Sequence, residues 1–271
     1  MAQQESAKTR RAFDAAAADF TALGRYLWRP IGADTVEVAD PRPGQRVLDA
    51  CCGTGASAIP AARRVGRDGV VDAVDVSASM VSELRRLAGE LPQLRACQED
   101  VTAWQGAGYD VVQSALGIFF FPDMAAGTRR LIGMARPGGR VVFTIWRGDA
   151  MAAAGRHLGL AVAEATATDP PAEREPHLFD RINQAGTFAE WLTELGLSDV
   201  DVTVRDRWLT MTPEVAWLVV LGSGYRGALT ELTPETVGRV REIYLSRLRD
   251  AGIVELDATT LIGAGIAPAA A

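Results

Sequence analysis

Val47-Leu48-Asp49-Ala50-Cys51-Cys52-Gly53-Thr54-Gly55 constrains the fold more than any other stretch. A short apolar run ends in an acidic residue, small residues and two glycines follow, and the helix-like segment Ala56–Arg64 begins at once. This order predicts a strand, a tight turn and a helix. The turn carries so little bulk that a ligand can approach its backbone.

From that turn the chain alternates. Val47–Ala50 is predicted as a strand and is followed by a helix to Gly66, with Pro60 near its first turn because proline is poorly tolerated deeper in a helix. Val70–Asp75 is the next strand. Ser77 can cap a helix whose inward face is Met80, Leu84, Leu87 and Leu91. Leu94–Gln98 and Val111–Ala115 read as the third and fourth strands. Asp123 can cap a helix that closes at Arg136-Pro137-Gly138-Gly139, and Val141–Trp146 is the fifth strand. Strands separated by helices imply right-handed crossovers and a parallel sheet covered on both faces.

Before this core, residues 1–40 read as helical, with Phe13 and Phe20 on one face and Tyr26 and Trp28 following; the breaker Asp40-Pro41-Arg42-Pro43-Gly44 ends the arm. Such an arm is either a docked amphipathic helix or a lid over a pocket. After Trp146 the rhythm changes. An Ala-rich helical piece leads to an Asp169-Pro170-Pro171 loop, and Thr187-Phe188-Ala189-Glu190 reads as a capping box opening a helix with Phe188, Trp191, Leu192 and Leu195 inward, stopped by Gly196. Val200–Leu209 alternates as a strand. Thr212-Pro213 and Thr233-Pro234 each pair a cap with proline at the first helical position, the second opening a helix with Val237, Val240, Tyr244 and Leu248 on one face. Thr259–Ile266 is the last strand.

Composition narrows the partners. With 28 Lys+Arg against 34 Asp+Glu, a net charge of −6 and no basic tract, phosphate neutralisation of a nucleic acid is not expected. Cys51, Cys52 and Cys97 form no CxxC pair or Cys/His cluster, so no metal site is expected, and free thiols suit a reducing, cytoplasmic setting. No signal-peptide core is seen at the N-terminus, and no segment reaches the roughly 18 apolar residues of a membrane span. The 48% hydrophobic content is enough for a substantial core.

In a doubly wound sheet, ligands bind outside the carboxyl ends of the strands. Those ends carry Asp49 with the Gly53–Gly55 turn, Asp75, Asp100 and Ser114–Phe119. A single aspartate at a strand end is most simply a turn residue; several in register point to a ligand. Asp75 stands about 20 residues past the glycines, where a carboxylate accepts hydrogen bonds from ribose hydroxyls. Gly53-x-Gly55-x-x-Ala58 also matches the loose dinucleotide fingerprint, so the loop alone does not choose between a nicotinamide and a sulfonium nucleoside. Asp49 favours the second, because a pyrophosphate there would meet like charge, whereas an ammonium and a sulfonium would not. Asp100 can accept an adenine amino hydrogen.

Val47–Gly55, Ala73–Met80, Gln98-Glu99-Asp100-Val101, Tyr109-Asp110-Val111-Val112 and Pro137-Gly138-Gly139-Arg140 follow one another as in class I S-adenosylmethionine-dependent methyltransferases, which residues 10–147 resemble. The nearest branch contains ubiquinone/menaquinone-biosynthesis enzymes and actinobacterial small-molecule methyltransferases. The resemblance implies a Rossmann-like seven-stranded sheet, mostly parallel with the last strand antiparallel, a helical N-terminal lid and helical insertions. It divides the chain into a lid (1–40), a cofactor-binding core (41–147), an insert by the substrate pocket (148–186) and a C-terminal part of the same sheet with added helices (187–271). It implies that Asp49, Gly53 and Gly55 hold the methionine end of S-adenosylmethionine, that Asp75 meets the ribose, that Val76 is among the cofactor contacts, and that Met80 flanks the adenine. Asp100 and Val101 read the adenine edge, and Ser114 and Leu116 border the methyl group. Cys51 stands where the family often has glycine, and a residue this small is expected to be tolerated there.

The expected chemistry is direct in-line methyl transfer to a small natural-product or quinone-like acceptor. The long segment before the last strand, with Trp217, Tyr225 and Arg226, would help build the acceptor pocket. If a base is needed, His177, Tyr225 and Tyr26 are the candidates, while a catalytic thiol at Cys51 or Cys52 competes with simple packing. Two rivals remain: a non-methylating relative whose nucleoside shapes a cyclisation or rearrangement pocket, and a nicotinamide-dependent reductase. Lys8 is the sole lysine, so a Tyr-x-x-x-Lys relay cannot exist. A protein substrate stays open, as does a homodimer.

Overall fold

The structure, a computed structural model, describes residues 2–170 and 177–269, with side chains from residue 11 onward. Pro171 of the expected loop lies outside the described residues. The chain opens with α1 (Ala2–Gly24) and α2 (Trp28–Ala39), then runs β1 (Arg46–Ala50), α3 (Ala58–Val65), β2 (Val70–Asp75), α4 (Ala78–Ala88), β3 (Leu94–Gln98) and β4 (Tyr109–Ala115). A 3-10 turn at Ile118–Phe120 precedes α5 (Met124–Ile132) and β5 (Ala135–Trp146). Next come α6 (Ala152–Thr166), α7 (Leu178–Ile182), α8 (Ala185–Glu194), β6 (Ser198–Arg205), β7 (Trp208–Thr210) and α9 (Pro213–Leu221). A second 3-10 segment at Gly224–Leu229, α10 (Pro234–Asp250), β8 (Glu255–Asp257) and β9 (Thr260–Ile266) complete it.

The sheet has seven strands in the order β3-β2-β1-β4-β5-β9-β6. Strands β1 to β5 pair in parallel, and β9 runs antiparallel between β5 and β6. The order reverses between β1 and β4, which is where a doubly wound sheet opens a crevice. Apolar residues cover both faces. Val47, Val71, Val111 and Val142 meet Ala58, Ala61, Val65 and Leu84 on one side. Leu48, Val112, Phe143 and Ile145 meet Leu131, Phe188, Trp191 and Leu192 on the other. A third apolar assembly joins Leu23, Leu27 and Trp28 to Met151, Leu209, Val215 and Val219, and a fourth joins α6, α9 and α10 around Tyr244. Among the described residues no helix is long and apolar enough to cross a membrane.

Local signals start several elements where expected. Ser77, Asp123, Thr212 and Thr233 each accept a backbone amide from the first turn of the helix that follows. Other expectations need correction. The helix after the glycine turn begins at Ala58, not Ala56. Leu91 lies beyond α4, which ends before Gly89 at φ 57. Helix α5 stops at Ile132, before Gly133, and Arg136–Gly139 belongs to β5. Tyr109 pairs with Ala135 and Val111 with Arg140, so these intervening residues bulge from the ladder, a position that suits proline's missing donor. The Thr187 capping box does not form: α8 has already begun at Ala185, and the Thr187 hydroxyl donates back to the Gln184 carbonyl. Val200–Leu209 is two strands rather than one. At Arg207 the guanidinium turns to Asp34 of α2 (2.6 Å), and Trp208–Thr210 leaves the main sheet to pair with β8.

Candidate active site

Beyond the carboxyl ends of β1, β2 and β4 lies a cavity of about 590 Å³. Its first half is polar and is built by strand tips. The turn after β1 is tied to β2: the Asp75 carboxylate accepts the amides of Gly53 (2.8 Å) and Ser77 (2.9 Å). A carboxylate has acceptor positions beyond these two, and Asp75 lines the cavity. Burial, the largest influence, pushes its pKa up despite the two amides. Asp100 also lines the cavity and spends Oδ1 on the Thr102 amide (2.9 Å) and hydroxyl (2.7 Å). Val76, Met80 and Val101 complete this half.

Asp49 sits differently from the others. It is fully buried and does not line the cavity; the Ser57 hydroxyl, which does, donates to both its oxygens at 2.8 and 3.1 Å. Desolvation raises the Asp49 pKa to about 7. Gly53 lines the cavity with φ 51, open to the left-handed region by its lack of a side chain. Gly55 faces the core: a Cβ there would fall 2.2 Å from a Leu84 methyl. Cys51 adopts φ 57 without being glycine. Burial pushes both the Cys51 and Cys52 thiols well up, so neither supplies a thiolate near neutrality. Ser114 is buried beneath this turn, and Leu116 lines the cavity.

The second half is aromatic. Phe13 and Phe20 of α1, Trp28 of α2, Phe119 and Phe120 after β4, and Trp146 at the end of β5 line it. Phe20 stacks on Trp28 (4.8 Å between centroids), and Phe13 meets Phe120 edge-on (5.3 Å). Helix α1 is clasped across the cavity at two points. Asp14 accepts the Ser77 hydroxyl (2.6 Å), and Asp19 pairs with Arg226 (2.6 Å).

Of the three candidate bases, Tyr225 alone lines the cavity. Its hydroxyl donates to the Met151 carbonyl (2.8 Å), and burial pushes its pKa up to about 12, so it keeps its proton near neutrality. His177 caps α7, its Nδ1 accepting the Phe179 amide (3.2 Å). Tyr26 lies outside the cavity wall, its hydroxyl bonded by Arg25. Sequence reasoning missed Asp14, Ser57 and Met151. The only local signal for Asp14 was its place beside Phe13.

Residues 47–139 match the family model described as "Methyltransferase domain". Over this stretch the chain is similar to methyltransferase domains. Over 138 residues, 49% of the chain, the protein is 31% identical to aklanonic acid methyltransferase DauC of Streptomyces sp. (strain C5), covering 63% of it. Over 136 residues, also 49% of the chain, it is 34% identical to nocamycin O-methyltransferase of Saccharothrix syringae, covering 49% of that protein. The chain therefore spans about half to somewhat under two thirds of these relatives' lengths. In fold it is similar to the YcgJ protein of Bacillus subtilis, with a TM-score of 0.58 at 15% identity over 89% of this chain and 99% of that one. The matched residues contain the polar half of the cavity; the aromatic half draws also on α1, α2 and residues from Trp146 onward.

Proposed function

We propose that the protein transfers the methyl group of S-adenosylmethionine to a small, largely apolar acceptor of the natural-product or quinone-like kind. One observation carries this reading: two carboxylates, Asp75 and Asp100, open from neighbouring strand tips into a cavity whose other half is aromatic. The cofactor suits these residues. Asp75 retains acceptor positions for ribose hydroxyls, and no hydrogen bond reaches Oδ2 of Asp100 among the described residues. The absence of a side chain at Gly53 leaves room beside the Phe20 ring. Bound S-adenosylmethionine would supply a methyl carbon already made electrophilic by its sulfonium.

The chain's own task is alignment and exclusion of water. Asp75 and Asp100 would anchor the nucleoside, while Ser57, its proton held by buried Asp49, would present its hydroxyl oxygen as an acceptor toward the methionine end. Phe20, Trp28, Phe120 and Trp146 would hold a flat acceptor. Tyr225 keeps its proton and orients the wall rather than acting as a base. The free thiols at Cys51, Cys52 and Cys97 accord with a cytoplasmic setting.

The experiment is methyl-label transfer from S-adenosylmethionine to a panel of hydroxyquinones and phenolic acids, alongside titrations with S-adenosylhomocysteine and NAD(H). Saturable binding of the first nucleoside with label transfer supports the proposal. Saturation by NAD(H) alone removes it, and tight nucleoside binding without transfer to any acceptor favours the non-methylating rival.

A further inference from the structure

Among the described residues, three other than glycine combine a left-handed backbone with a place in the cavity wall: Cys51 (φ 57), Leu116 (φ 59) and Met151 (φ 68). A side chain in this region strains the backbone, and such strain persists only where the surroundings over-determine it. Met151 is the clearest case. Its amide donates to the Asp257 carbonyl in β8 (2.8 Å), and its carbonyl accepts the Tyr225 hydroxyl (2.8 Å). Asp257 is itself held by Arg147 (2.8 Å) and by the Thr259 amide (2.8 Å). Tyr225 reaches Met151 because Gly155 has no side chain: a Cβ there would fall 2.9 Å from the tyrosine ring. Two segments remote in sequence thus converge on the backbone of one strained residue. The residue is 5% exposed and packs in the cavity wall with Trp28 and Leu116.

Nothing in helix formation requires this arrangement. Met151 occupies the N-cap of α6 but offers no side-chain cap. The constraint instead fixes a flexible thioether in the cavity wall just past β5, three and four strands along the sheet from the β2 and β3 tips that carry Asp75 and Asp100. We propose that Met151 is a specificity-determining residue that sets how long a fused-ring acceptor the aromatic half admits, and that Tyr225 is the positioning residue that holds it there. This rests on the acceptor half being a small-molecule site, as argued above, but not on methyl transfer itself.

Trp28 and Trp146 line the same half, so acceptor binding can be read without chemistry, through quenching of their fluorescence. The probes are hydroxyquinones of two, three and four fused rings, titrated into the full chain saturated with S-adenosylhomocysteine. In Met151→Ala the affinity ratio of the longest to the shortest probe should rise about tenfold or more, the discrimination a few methylene-sized contacts supply in an apolar pocket. Tyr225→Phe keeps the ring and removes the tie; it should shift the ratio in the same direction by a smaller factor. Affinity for S-adenosylhomocysteine should be retained in both variants, which verifies folding. If either variant proves unstable, Met151→Leu, which keeps volume but changes shape, should still change the ratio.

An unchanged ratio in folded Met151→Ala, or no quenching of the wild type by any probe, overturns the proposal. In label-transfer assays Tyr225→Phe should raise KM and leave the pH profile of kcat in place; loss of the basic limb would make Tyr225 a catalytic base instead. A shifted binding ratio without label transfer would fault the methyltransferase reading and leave this one standing.

Discussion

Asp75 accepts the amide of Gly53 at 2.8 Å, so the tip of β2 holds the turn that follows β1. One carboxylate therefore shapes the loop and faces the ligand cavity. Replacing it with alanine should weaken S-adenosylhomocysteine binding by about 1–3 kcal/mol through lost charge-assisted hydrogen bonds. The ligand's hydroxyls favour the ionised carboxylate, whose pKa burial raises, so wild-type affinity should fall as the solution is acidified. Calorimetric titration at two pH values checks both statements. Unaltered affinity in Asp75→Ala would falsify the ribose assignment.

Asp49 should make stability depend on pH in a direction opposite to that of a salt-bridged carboxylate. Its pKa is about 7 in the fold against 3.8 ordinarily, so between these values the folded state binds the extra proton. Stability should decline as pH rises through that window and level off above it. Asp49→Asn removes the penalty and should stabilise the chain at pH 8 by on the order of 2–4 kcal/mol, with the gain vanishing near pH 4. Urea unfolding of both proteins at the two pH values decides; a gain of equal size at both would reject the explanation.

Cys51 tests the backbone rather than the thiol. A non-glycine residue in the left-handed region costs about 1–2 kcal/mol, and glycine's extra unfolded-state entropy offsets about half of that. Cys51→Gly should therefore be neutral or stabilising by up to about 1 kcal/mol, whereas β-branched Cys51→Val should destabilise. The raised pKa also predicts slow alkylation of Cys51 and Cys52 at pH 8 relative to a free thiol. Denaturation midpoints and timed mass spectrometry read the two outcomes.

Helix α1 covers the cavity through Asp14 on Ser77 and Asp19 on Arg226. Asp14→Ala removes the tie on the nucleoside side and should loosen α1 with little effect on the sheet. Hydrogen exchange should then accelerate across residues 11–24 while β1, β2 and β4 keep their protection, and S-adenosylhomocysteine should dissociate faster. Uniform acceleration throughout the chain would indicate global destabilisation and sink the lid interpretation.

Much of this molecule was legible without coordinates because the signals are local. Val70–Asp75 and Leu94–Gln98 form strands with the expected ends, and Ser77, Asp123, Thr212 and Thr233 begin their helices, since apolar period and cap chemistry act over a few residues. The same spacing brought Asp75 and Asp100 to neighbouring tips. Tertiary structure decided the rest. Arg136–Gly139 reads as a helix stop, yet its pairing partner β4 draws it into a strand with a bulge. Asp49 lies behind Ser57 because the chain after the turn folds back over it, which no motif reveals. The Tyr225–Met151 bond joins residues 74 positions apart. Short-range preferences set which elements form and where they start; which side chains meet depends on contacts between distant segments, and those exist only once the sheet is assembled.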